Sequence, residues 1–197
     1  ASRKSTGMGF IPSFSICSSW CTSEASTMTF LWSRTRQFID SHTDSWHSVG
    51  GEDGPDMHPK PQPQRLLTLE QWHAVRDTWP ANLPVGAALA NTVDVETLAP
   101  DLGRIALVVL QFPKWTDGRA YSQGHVLRSR LRYRGEVRAT GDVLVDMLPL
   151  LARTGIDAVQ LRHDQNEVAA RRVLSLMTDH YQGDVVQTRP LFSRVVA

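Results

Sequence analysis

The chain predicts an α/β fold, with strand and helix units alternating around a mainly parallel sheet of four to five strands, an open sheet or a half-barrel, behind an irregular N-terminal extension. Three observations lead there. From residue 66 onward, short runs of aliphatic and β-branched residues, the clearest being IALVVL at 105–110, alternate with stretches whose apolar residues recur at helical spacing. Strands and helices in strict turn require crossover connections and hence parallel pairing. Residues 1–64, by contrast, carry SFSICSSW, TSEAST and GGEDGPDMHPKPQPQ, a composition that cannot bury enough apolar surface to offset chain entropy. The expected organisation is a largely disordered or irregular extension over 1–64 and one α/β domain over 65–197. With 197 residues and 41% hydrophobic content the chain suffices for a single core.

Taken in order, Thr68 is placed to cap a short helix, LEQWHAVRDTW, whose Leu69, Trp72 and Val75 share one face and pack on the sheet. A strand over 85–90, a helical turn over 95–98 and the strand 105–111 follow. A helix spans 118–131, then come a strand at 135–139 and a helix at 143–153 that Pro149 should kink or break and Gly155 should end. The last unit is a strand at 157–161 and a helix at 165–181. Asp164 and Glu167 are its expected capping pair, and Val168, Arg172, Leu176 and Met177 its expected inner face. Residues 185–187 are a candidate edge strand.

Residues 1–27 carry Arg3 and Lys4, hold no acid before Glu24, and have their apolar stretch broken by Pro12 and serines. That makes a poor signal or transit peptide. A vector-derived remnant or a start placed too far upstream fits better, with Met28 as the expected start. Cys17 and Cys21 both lie there, which excludes four-cysteine zinc or iron–sulfur ligation and a disulfide framework; they read as an incidental pair in a reducing compartment. A net charge of +1 and a pI near 8.1 give no argument for nucleic acid. Arg128, Arg130, Arg132, Arg134 and Arg138 cluster locally, most simply as solvated arginines at a helix end. No apolar run approaches the ~20 residues that span a bilayer. A cytoplasmic protein with no membrane partner is the expectation.

Charged residues concentrate at two strand ends, where open α/β sheets bind ligands. In FPKWTDGR, 112–119, Thr116 or Asp117 can cap the helix that Gly118 opens, with Lys114 just before it and Arg119 in its first turn. Free amides, the positive helix end and two cations favour an oxyanion such as sulfite, sulfate or a phosphate group. The plainer alternative is that Asp117 only caps while Arg119 pairs with Asp142. In RATGD, 138–142, Gly141 relieves a tight turn and Asp142 caps the next helix, with Asp146 one turn later; a metal or acid–base role competes with simple capping. Arg138 lies on the opposite strand face from Val137 and Ala139, aimed at a ligand or holding Glu136 or Asp117. Tyr121 and Trp115 flank the first junction and are assigned to core packing before an aromatic ligand wall. His125 and His180 read as surface or half-buried residues. Dinucleotide, P-loop and nucleophile-elbow motifs are all lacking, so no cofactor is implied and no redox group is visible in the domain.

The two motifs, with their order and spacing, resemble a bacterial family of uncharacterised proteins, domain-of-unknown-function family 934, which carries the label of oxidoreductases involved in sulfite reduction. The usual family pattern FPKFTDGRGYS, LRxRxGYxGELRAxGDVLRDQ, RCGFDAFEL stands here as FPKWTDGRAYS, LRSRLRYRGEVRATGDVLVDM, RTGIDAVQL. The resemblance runs from about Trp46, where the family usually has a tryptophan, to Tyr181. Ala120, Gln123-Gly124-His125, Met147 and Thr154 depart from it, so a role resting on the family's glutamine at 147 or cysteine at 154 does not carry over.

What the resemblance implies is an accessory role in assimilatory sulfite or sulfate reduction, with an oxyanion or a sulfite-reductase component as partner. Lys114, Arg119 and Arg138 are the candidate anion-binding residues. The rival readings are a small barrel-like enzyme acting on a phosphorylated or sulfonated metabolite, with Asp117 or Asp142 as acid or base, and a non-catalytic interaction module. Mutual pairing of the turn residues favours the last.

Overall fold

The computed structural model of the chain describes residues 30–32, 38–40, 44–49, 56–176 and 180–193. Cys17, Cys21, Met28 and Met177 lie outside the described residues. Strands β1 (Phe30–Trp32) and β2 (Phe38–Asp40) form an antiparallel pair. The main sheet has six strands in sequential order: β3 (His47–Ser48), β4 (Arg65–Thr68), β5 (Val85–Leu89), β6 (Ile105–Phe112), β7 (Glu136–Gly141) and β8 (Ala158–Val159). Every neighbouring pair in it is parallel.

Sequential order decides between the two expected architectures. Each crossover steps one strand in the same direction, and because such crossovers share one hand, the helices all fall on one side. The sheet therefore curls into a half-barrel with helices outside. Its outer face carries Leu67, Leu89, Val108, Leu110, Phe112, Val137 and Leu161, buried against Trp72, Leu127, Leu148 and Leu151 from the helices. The concave face carries the alternate residues: Leu66, Gly86, Ala88, Val109, Arg138, Thr140 and Gln160.

Helix α1 (Leu69–Val75) starts at Thr68, whose hydroxyl accepts from Gln71 N while the Gln71 side chain accepts from Thr68 N, a reciprocal cap with glutamine at the third position. Helix α2 (Arg119–Ser129) opens one residue later than its spacing suggests, with Gly118 as N-cap. The expected helix over 143–153 is a 3₁₀ turn, Val145–Met147, followed by α3 (Leu148–Arg153), and Pro149 occupies the first turn of α3, where its missing N–H costs nothing.

Three expectations need correction. The sheet has six strands because β3 and β4 join it, and both are too short to show alternation in sequence. In α4 (Glu167–Leu176) the cap is Asn166, which accepts from Val168 N and Ala169 N, because Asp164 is engaged by Arg162. Ala170 is consequently the buried position, and Val168 and Leu176 face solvent. Residues 185–187 form no edge strand, since the Asp184 carboxylate accepts the Val186 and Gln187 N–H groups that a ladder would use.

The segment 44–49 is tied to the domain. Trp46 lies over Gly86, where a Cβ would meet its ring at 3.2 Å and Leu66 at 3.0 Å. His47 N donates to Gln64 O, and Val49 N to Leu66 O.

Candidate functional site

The C-terminal ends of four strands are joined by one continuous belt of polar contacts. Beyond β5, the amide of Asn91, a nearly buried side chain, donates to Asp117 Oδ2 at 2.7 Å. Asp117 ends the turn after β6, its N–H closing on Lys114 O, and accepts from Arg119 N, Nε and Nη2, the last at 2.6 Å. Arg119 is thereby forked onto Asp117 and not onto Asp142. That bidentate contact holds the Asp117 carboxyl down at about 2.

Asp142 links the turns after β6, β7 and β8. Its N–H donates to Phe112 O at 2.7 Å, its Oδ2 accepts from Trp115 N at 2.9 Å, and its Oδ1 accepts from Arg162 Nη1 at 2.7 Å. The Trp115 amide and then Arg162 hold this carboxyl below its ordinary range. Asp142 therefore clasps three turns and caps no helix. Gly141 makes the clasp feasible: its φ is +101°, and a Cβ there would stand 2.4 Å from Phe112 O. Arg162 forks onto Asp164 as well, which keeps that carboxyl strongly depressed.

The structure thus brings Lys114, Asp117, Arg119 and Asp142 to one edge, and it places Arg138 elsewhere. Asp146 is exposed on the 3₁₀ turn, so the spacing of Asp142 and Asp146 does not put two carboxylates on one helix face. Tyr121 packs edge-on against Phe112 with centroids 5.2 Å apart, and burial raises its hydroxyl pKa. Trp115 does not join the core: it is 55% exposed beside exposed Lys114, which makes no ion pair among the described residues. Among the described residues no group of three or more His, Cys, Asp or Glu side chains is placed to hold a metal ion. Among the described residues no helix is long and apolar enough to cross a membrane.

Arg138 lies on the concave face, its side chain only 6% exposed. Nη1 donates to Asp44 at 2.6 Å, and Nε and Nη2 donate to Glu136 at 3.0 and 2.9 Å. A cleft of about 350 Å³ opens above it. The arginine cluster divides: Arg130, Arg132 and Arg134 are exposed as expected, whereas Arg128 and Arg138 are enclosed. Arg128 is 11% exposed, bonded to the carbonyls of Tyr133, Gly135 and Gly155 and to Asp157, and Arg130 pairs with Glu96.

Asn91, Arg162 and Asp44 escape sequence reading, and the role of Arg128, read there as a solvated cation, escapes it too. For the first two a signal existed, since each follows an apolar run within three residues, the position at which a parallel strand presents its end. Arg128 and Asp44 act through residues 27 and 94 positions away, and no local pattern encodes that.

Fold and site together define a half-barrel α/β protein with a clasped strand-end edge. Residues 86–192, more than half of the chain and including both motifs, match the family model described as bacterial protein of unknown function (DUF934), and the chain belongs to that family. No curated protein matches it.

Proposed function

We propose that this chain is a non-catalytic accessory protein of assimilatory sulfite reduction, docking on a reductase component through the edge that carries Lys114, Trp115 and Arg119. The observation that carries this reading is Trp115: a tryptophan 55% exposed on a turn whose backbone is fixed by Asp142. Exposed aromatics on rigid supports, flanked by cations, are the residues that anchor protein interfaces. The sulfur pathway itself rests on the family resemblance of the two motifs.

Pairing within the belt argues for docking over binding of a free oxyanion and over acid–base catalysis. Three cations, Lys114, Arg119 and Arg162, stand beside three carboxylates, Asp117, Asp142 and Asp164, so the edge has little net charge to offer a free oxyanion. Asp117 and Asp142 are held ionised by their partners, whereas a general acid or base works best with a pKa near the operating pH. Isothermal calorimetry against purified sulfite-reductase components tests the proposal. Trp115→Ala and Lys114→Glu should each weaken association by about tenfold or more, the scale of an interface anchor. Added salt should weaken the wild-type complex. Absence of binding, or binding indifferent to both substitutions, refutes docking at this edge.

A further inference from the structure

The concave face of the half-barrel holds a second, chemically distinct feature. Register places Gln111 of β6 opposite Thr140 of β7, and Gln160, which follows β8, is next in the row through its N–H bond to Ala139 O. Three polar side chains thus stand at one level on adjacent strands, at the C-terminal mouth of the cleft. Among the described residues none of the three side chains makes a hydrogen bond. One layer below, Arg138 forms the floor, and Trp46, packed over Gly86, also lines the cleft.

We infer that this cleft binds an uncharged planar heteroaromatic ligand with amide-like donor and acceptor groups along one edge, the chemistry shared by nucleobases and nicotinamide. Two carboxamides and a hydroxyl each offer both a donor and an acceptor and no charge, which suits a ligand edge that alternates the two. Trp46 supplies an aromatic wall against which a flat ring can lie. The floor excludes an anion: Arg138 is already shared between Asp44 and Glu136, two carboxylates on one guanidinium, so the cleft carries no uncompensated positive charge. A volume of about 350 Å³ accommodates a ring system of this size. None of the residues of the docking edge takes part.

The test is calorimetry and side-chain amide NMR of the full chain with three probes, adenosine, uridine and nicotinamide, and with sodium sulfate as the anion control. At least one probe should bind saturably, shifting the Gln111 and Gln160 side-chain amide signals and the Trp46 indole N–H, while sulfate leaves them in place. Gln111→Ala and Gln160→Ala should each weaken that probe about tenfold, the loss of one well-placed hydrogen bond, and both are surface changes that leave the fold intact. Trp46→Phe should retain binding and Trp46→Ala should lose it. Failure of all three probes, binding unaffected by the glutamine substitutions, or sulfate competing at the same signals overturns the inference. Because the docking experiment reads a different edge, either proposal can fail while the other stands.

Discussion

At the scale of single residues, Arg128 ties two loops together, although no catalytic or binding argument singles it out. Its guanidinium gathers the carbonyls of Tyr133, Gly135 and Gly155 and the Asp157 carboxylate, joining the end of α2 to the loops entering β7 and β8. Gly135 is required beside it: a Cβ there would stand 2.6 Å from Ala106 O. Removing the cation takes the opposite charge from a carboxylate that is only 13% exposed and a hydrogen bond from each of three carbonyls. Arg128→Ala should therefore lower stability by about 3–5 kcal/mol, measured by urea unfolding. Arg128→Lys should recover little, since an ammonium cannot bond a carboxylate and three carbonyls in one plane. A loss under about 1 kcal/mol for Arg128→Ala would contradict this account, being the size of an ordinary surface change.

At the scale of elements, the belt turns four strand ends into one cooperative edge, and its acids give it a pH signature. Asp117 is held at about 2 by Arg119, and Asp142 and Asp164 are depressed by the Trp115 amide and by Arg162. A carboxyl whose pKa is lower in the folded than in the unfolded chain binds fewer protons when folded. Its contribution is complete above the unfolded pKa of about 4 and is lost as the pH falls through the folded value. Thermal midpoints should thus fall steeply between about pH 4 and pH 2, the window set by Asp117. Asp117→Asn and Arg162→Ala should each flatten that fall. A midpoint with the same acid slope in both variants would show that other carboxyls carry it.

At the scale of the whole molecule, a half-barrel with helices on one side leaves its concave face in need of cover. The segment 44–49 supplies part of that cover through Trp46 over Gly86 and through the pair of Asp44 with the deeply buried Arg138. Two truncations separate the contribution of residues 28–49, this segment together with β1 and β2, from that of the residues before them. A chain beginning at Met28 keeps every described contact and should unfold with an unchanged midpoint. A chain beginning at residue 50 lacks β1, β2 and β3 as well as both contacts and strands Arg138 on Glu136 alone, so it should be less stable by about 3 kcal/mol or more. Equal midpoints for the two would show that the concave face needs no such cover.

The amino-acid sequence by itself determined the alternation of strand and helix, hence a parallel sheet, because strand runs, helical spacing and turn residues are local signals. It also located the edge at which Lys114, Asp117, Arg119 and Asp142 meet, since parallel strands all end on one side. Only the tertiary structure decided the partners. Arg119 takes Asp117 and Asp142 takes Arg162, a choice set by which turns lie side by side and at what register. The same holds for Arg138, which the sequence groups with the edge by proximity along the chain. Strand parity turns it onto the concave face, and Asp44, brought across by the curl of the sheet, holds it there. Period is written in neighbouring residues; pairing across strands depends on lateral order and curvature, which are properties of the assembled sheet.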